Sequence, residues 1–130
     1  MTGVQTCALP IYYRSVLQLV GDPPWPTACE AYLGLARIHY QWNDLDLAEQ
    51  HGEQSLELAR QIENTDTPAA CGMMLARLKL AQGDTAGAKS MLAETEQFIR
   101  RHNFEHWLPE LATVQVLMFL AQGKIGRAHV

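Results

Sequence analysis

The fold is decided by the stretch Leu35-Ala-Arg-Ile-His-Tyr-Gln-Trp-Asn-Asp-Leu-Asp-Leu-Ala48. A second stretch, Leu75-Ala-Arg-Leu-Lys-Leu-Ala-Gln-Gly-Asp-Thr-Ala-Gly-Ala88, follows the same plan 40 residues later. Both begin with Leu-Ala-Arg, continue through Asn-Asp or Gly-Asp, and reach an alanine four residues after that aspartate. Ala121-Gln-Gly123 then repeats Ala81-Gln-Gly83 at the same spacing of 40. Self-similarity at a fixed interval of this size predicts a repeat protein.

Helical periodicity runs through almost the whole chain. Apolar and small residues recur at intervals of three and four, and no segment alternates as a strand does. Thr27 is predicted to cap the first main helix, with Glu30 completing a capping box. Five main helices are predicted, over 27–41, 45–62, 69–82, 85–101 and 107–123. Because a helix pair cannot bury its apolar face alone, we expect an all-α solenoid of antiparallel hairpins.

Composition narrows the function classes. The chain has 130 residues, of which 48% are hydrophobic and 18% charged, with a formal net charge of −4 and three cysteines. Those fractions exclude a disordered chain, and no apolar run approaches the roughly 18 residues of a membrane-spanning helix. Lysines and arginines are scattered, so we expect no direct contact with nucleic acid. Three cysteines make no disulfide framework, and we expect a cytoplasmic protein without membrane contact.

Both ends of the chain look foreign to the repeat. Residues 1–11 have neither the basic start nor the apolar run of a signal peptide. They resemble the translation of a short-read sequencing adapter, and residues 125–130 resemble the reverse complement of the same kind of adapter. We therefore expect the repeat domain to occupy residues 12–124, as a fragment of a longer protein. The alternative is a natural N-terminal strand and a natural C-terminal tail.

The sequence holds no recognisable catalytic constellation. It contains no P-loop, no Gly-x-Ser-x-Gly and no His-Glu-x-x-His. His102 and His106 are four residues apart, but their segment crosses a predicted loop and offers no third ligand, so roles in the loop and the helix cap are expected rather than metal binding. Cys29 and Cys71 are expected to be buried or half-buried free thiols. We predict that the chain is not an enzyme and uses no metal or cofactor.

The repeat resembles a known family. A helix with small residues followed by Gly/Asn-Asp-x-x-x-Ala is similar to the tetratricopeptide repeat in a slightly long form, although Gly52 and Ser55 depart from its pattern. Residues 31–49 and 76–84 look like successive repeats of MalT-like, LuxR-family transcription regulators. The resemblance implies a tetratricopeptide-like α-solenoid that senses a signal, through a small-molecule effector or a protein or peptide partner, and packs on neighbouring repeats and domains of its parent. The alternative is a generic tetratricopeptide scaffold that binds peptides in an unrelated multi-domain protein.

Two arginines are the candidate binding residues. Arg37 and Arg77 occupy equivalent positions on successive first helices, which in tetratricopeptide-like stacks line the concave face. Tyr40 lies one turn further along and Glu30 on the same helix face, so these two are expected to flank the arginines. Guanidinium and aromatic groups suit sugars, carboxylates and acidic peptides. The alternative is that each arginine pairs with a nearby glutamate and lies along its own helix.

Overall fold

The computed structural model describes residues 24–123, together with residues 11, 15, 16, 18, 19 and 21. Within these residues the chain is helical and contains no strand. The two segments predicted to be adapter-derived lie outside the described residues, apart from Ile11. Residues 24–123 contain five α-helices: α1 (Cys29–Gln41), α2 (Leu45–Ala59), α3 (Thr67–Ala81), α4 (Thr85–His102) and α5 (Leu108–Ala121). Short 3-10 turns, Pro26–Ala28 and Glu105–Trp107, precede α1 and α5.

The turns inside the two hairpins share one geometry. Helices α1 and α2, and likewise α3 and α4, are joined by only three residues, which makes each pair antiparallel. Asn43 and Gly83 have φ angles of 60° and 81°, and Gly123 has 73° at the same interval of 40 residues. A residue in this left-handed region ends a helix, and the amide groups that follow it can then donate to the last carbonyls of that helix. The repeat predicted from the sequence is therefore confirmed in the backbone.

Helix α2 is shorter than the sequence predicts. It ends at Ala59, whereas the periodicity predicts Ile62. The amide groups of Gln61 and Ile62 donate to the carbonyls of Leu58 and Ala59, which lie three residues back rather than four. The last turn therefore tightens into 3-10 geometry and leads into the polar loop before α3.

The capping box predicted at the start of α1 does not form. The 3-10 turn Pro26–Ala28 runs directly into the helix, so Ala28 stands at the N-cap position and no side chain caps it. Glu30 instead accepts a hydrogen bond from the Thr67 hydroxyl on α3, at 2.6 Å. This partner lies 37 residues away in the sequence. The box prediction is wrong because a contact between helices replaces the local one.

Small residues allow the helices to pack closely. The alanines that recur at the repeat interval are fully buried, with 0% exposure: Ala36, Ala48, Ala76 and Ala88. Gly52, one of the departures from the tetratricopeptide pattern, lies against Leu75 of α3. A Cβ atom there would come within 2.8 Å of Leu75 Cδ2. The departure therefore makes room for the next hairpin.

Helix α3 is the centre of the stack. It contacts all four of the other helices, and eleven of its fifteen residues are buried. One apolar cluster joins it to the first hairpin, through residues such as Leu33 and Leu56. Another joins it to α4 and α5, through Leu92 and Val114. The order of clusters along the chain is that of a solenoid, in which each unit packs on its neighbours.

Helix α5 is apolar on nearly all sides. One face packs on α3 and α4, whereas Val116, Leu117, Phe119 and Leu120 are between 39% and 52% exposed. Helices α1 and α3 are the repeat equivalents of α5. Within the described part of the chain, each of them packs against the helix that follows it, α2 or α4. Among the helices that the structure describes, none combines the length and the apolar run needed to cross a bilayer.

Candidate functional site

The four residues predicted to bind a ligand lie on α1 and α3, the first helices of the two hairpins, and we call the surface predicted to carry them the first-helix face. Arg37 and Arg77 occupy equivalent positions on α1 and α3, 40 residues apart, and these two helices are in contact. Arg37 is exposed and Arg77 is half-buried. Within residues 24–123 neither guanidinium forms an ion pair or a hydrogen bond. Within the described residues, neither arginine therefore forms the pair with a nearby glutamate that the alternative interpretation expects.

Glu30 and Tyr40 are more constrained than the two arginines. The Glu30 carboxylate is held by the Thr67 hydroxyl, which ties the start of α1 to the start of α3. Tyr40 is half-buried and packs against the apolar cluster between the two hairpins. Both residues thus contribute to packing between helices. Among the described residues, the two guanidinium groups and the Tyr40 hydroxyl form no hydrogen bond or ion pair.

A buried polar junction links α1, α2 and α3. Ser55 of α2 donates its hydroxyl hydrogen to the Cys29 carbonyl of α1, at 2.7 Å. Its oxygen is also 3.0 Å from the Cys71 sulfur of α3, so the thiol is left as the donor in that contact. Burial raises the pKa of Cys71 to about 11, although the positive charge of Arg37 acts slightly in the other direction. Both cysteines are buried free thiols, and their hydrogen bonds favour a structural role.

A carboxylate at the start of α3 is bonded to the segment that precedes α5. Asp66 Oδ2 accepts hydrogen bonds from the Trp107 indole and from the His106 ring, both at 2.9 Å. These two donors lower the pKa of the Asp66 carboxyl. His102, the other histidine of the pair noted in the sequence, bonds instead to the Phe98 carbonyl at 3.0 Å. In the part of the chain described, no three His, Cys, Asp or Glu side chains gather in a way that could hold a metal ion.

The structure also contains a groove that sequence reasoning missed, between the carboxyl-terminal halves of α2 and α4. We call it the α2–α4 groove. Its floor is Pro68 and Gly72 at the start of α3, and its walls include Arg60 and Phe98. None of the four predicted binding residues lines it. One signal was available in the sequence, because Arg60 and Arg100 are equivalent in the repeat but differ in the residue four positions before them.

Comparison with known families finds one match. A family model described as "MalT-like TPR region" matches residues 11–130. The matched region includes both hairpins and α5, and hence all four predicted binding residues. Comparison with curated proteins and with solved structures gives no match.

Proposed function

The chain belongs to the family of MalT-like TPR regions, and from that membership we propose that it receives the signal for a LuxR-family transcription activator. Repeats of this class are helical segments that mediate protein interactions. The proposed signal is a small-molecule effector or a protein or peptide partner. The segment itself is proposed to be neither catalytic nor DNA-binding, and to work in the cytoplasm.

The observation that carries this proposal is the pair of arginines at one repeat position. A solenoid presents equivalent positions of successive first helices side by side, with helix axes roughly 8–10 Å apart. At that separation, two guanidinium groups can approach one anionic or polyhydroxylated ligand. Neither Arg37 nor Arg77 is paired with a carboxylate in the described chain, so both remain available. The net charge of −4 supports the absence of a nucleic-acid surface here.

The test uses the full-length LuxR-family regulator in which this proposal places the segment. We expect Arg37→Ala and Arg77→Ala each to weaken effector or partner binding by about 1–3 kcal/mol, the typical loss for a hydrogen bond to a charged group. Transcription from a reporter should then require correspondingly more effector. The expected change in fold stability is small, because Arg37 is exposed and Arg77 is only half-buried.

Two controls make the result specific. Arg101→Ala removes the same charge from an exposed position on α4 and should leave binding unchanged. Ala76→Leu enlarges a fully buried residue and should instead destabilise the fold by overpacking. Binding that is indifferent to both arginine changes would reject the site. A gene without a helix-turn-helix segment would reject the regulator and favour a peptide-binding tetratricopeptide scaffold.

A further inference from the structure

The α2–α4 groove consists of a narrow part and a wide part that share three lining residues. Arg60, Pro68 and Phe98 line both parts, whose volumes are about 40 Å³ and about 350 Å³. Gly72 contributes to the floor of the narrow part, at the position where α1 carries Tyr32. The second repeat therefore has no ring where the first has one. The wide part alone falls within the range of small-molecule sites.

Arg60 brings an uncommitted positive charge to the junction of the two parts. Its repeat equivalent, Arg100, forms an ion pair with Glu96 one helical turn earlier, at 3.0 Å. The residue one turn before Arg60 is Leu56, so no such pair can form. Within the described residues the Arg60 guanidinium makes neither an ion pair nor a hydrogen bond. The guanidinium of Arg60 is therefore unpaired within the described residues, whereas that of the equivalent Arg100 is neutralised by Glu96.

His102 faces the same wide part from the opposite wall. Its Nδ1 is 3.0 Å from the Phe98 carbonyl oxygen, which can only accept, so Nδ1 carries the hydrogen and Nε2 is left for a ligand. The ring is held by Phe98, with centroids 4.4 Å apart, and stacks on Phe104 at 6.0 Å.

The remaining lining selects the kind of ligand. Ile62, Pro68 and Phe98 give the wide part an apolar side, which suits a hydrocarbon body. Glu63 also lines it, so a ligand with two negative charges would meet repulsion that a single carboxylate can avoid. Arginine binds a carboxylate through two parallel hydrogen bonds. The combination favours one negative charge attached to an apolar group.

We propose that the α2–α4 groove binds a small monocarboxylate with an apolar body, its carboxylate on Arg60 and its body against Ile62, Pro68 and Phe98. This site uses neither Arg37 nor Arg77 and is independent of the proposed signal site on the first-helix face. A binding result at one of the two sites therefore leaves the other open to its own test.

The experiment titrates the full 130-residue chain, labelled with ¹⁵N, with 3-phenylpropionate and follows the amide spectrum. We expect saturable shifts concentrated at residues 59–66 and 98–102. The neutral analogue 3-phenylpropan-1-ol and the dianion phenyl phosphate should each bind at least tenfold more weakly. Shifts centred on Arg37 and Arg77, or no saturable shifts, would overturn the proposal.

Variants separate the groove from non-specific attraction. Arg60→Gln should weaken 3-phenylpropionate binding at least tenfold. Arg101→Gln removes one charge from an exposed site outside the lining and should leave binding unchanged. Circular dichroism and thermal melting confirm that each variant folds, which is expected because both arginines are exposed. Equal losses in the two variants, or equal binding of the alcohol, would show simple charge or apolar attraction and reject the site.

Discussion

His51 is a buried imidazole between two other rings. Its centroid lies 5.8 Å from Tyr32 and 5.4 Å from His39, and both ring pairs are stacked. Burial lowers the pKa of His51, the neighbouring His39 lowers it further, and Asp44 opposes them. The folded chain therefore resists protonation that the unfolded chain accepts near pH 6.5. The stabilisation that neutral His51 contributes is complete above that pH and is lost as the pH falls below it.

This gives a pH prediction at the scale of one residue. The free energy of unfolding, measured in urea, should be lower at pH 5 than at pH 8. His51→Phe keeps a ring but cannot titrate, so the difference between the two pH values should become smaller in that variant. His102→Gln, at an exposed histidine, should keep the wild-type difference. An unchanged difference in His51→Phe would contradict the assignment.

Ser55 supplies a second prediction at this scale. Its hydroxyl satisfies the Cys29 carbonyl and receives the Cys71 thiol, and the side chain is fully buried. Ser55→Ala should therefore lower the free energy of unfolding by about 1–3 kcal/mol, the cost of leaving buried polar partners unsatisfied. Ser90→Ala on α4 is the matched control, because Ser90 is exposed. If the two variants have the same free energy of unfolding in urea, the junction contributes nothing to stability.

At the scale of the element, two equivalent aspartates behave differently. Asp84 caps α4 by accepting the Gly87 amide at 2.8 Å. Asp44 has almost the same backbone angles at the start of α2, but its side chain makes no cap bond and lies 3.7 Å from His39. Repetition of the sequence thus repeats the backbone of the turn without repeating the side-chain contact.

The pair can be tested by removing each carboxylate. Asp84→Ala should cost about 1 kcal/mol, the usual value for losing an N-cap. Asp44→Ala should cost less than half of that, because its side chain makes no cap bond. The measurement is the urea midpoint of each variant at a constant m-value. Equal losses would show that Asp44 caps its helix in solution after all.

The same comparison shows what the sequence can and cannot predict. The interval of 40 residues predicts both hairpins, and helix bounds follow to within about two residues except at the end of α2. Local rules fail where a distant partner intervenes, as when Thr67 takes the carboxylate of Glu30. The α2–α4 groove was not predicted because its walls come from two helices and its floor from a third. The four predicted binding residues stay a prediction, since their helix positions follow from periodicity but their ligand does not.

At the scale of the whole molecule, stability should be highest in the middle of the stack. Helix α3 contacts every other helix, whereas α5 leaves four large apolar side chains exposed. In a solenoid, opening from an end costs only one interface, so the end helices open more often than the centre. We expect amide hydrogen exchange to be slowest in Thr67–Ala81 and clearly faster in Leu108–Ala121. Uniform exchange across the five helices would show a single cooperative unit.

The three-residue turns also have a consequence for how fast the chain reaches its fold. Each hairpin joins helices that are adjacent in sequence, and α3 reaches no further than two helices in either direction. Little loop entropy is therefore lost before native contacts begin to form. Chains built from such local contacts refold in milliseconds or less. The left-handed residues Asn43 and Gly83 close both hairpins before any longer-range contact is needed, so refolding should be limited by docking of one hairpin on the other.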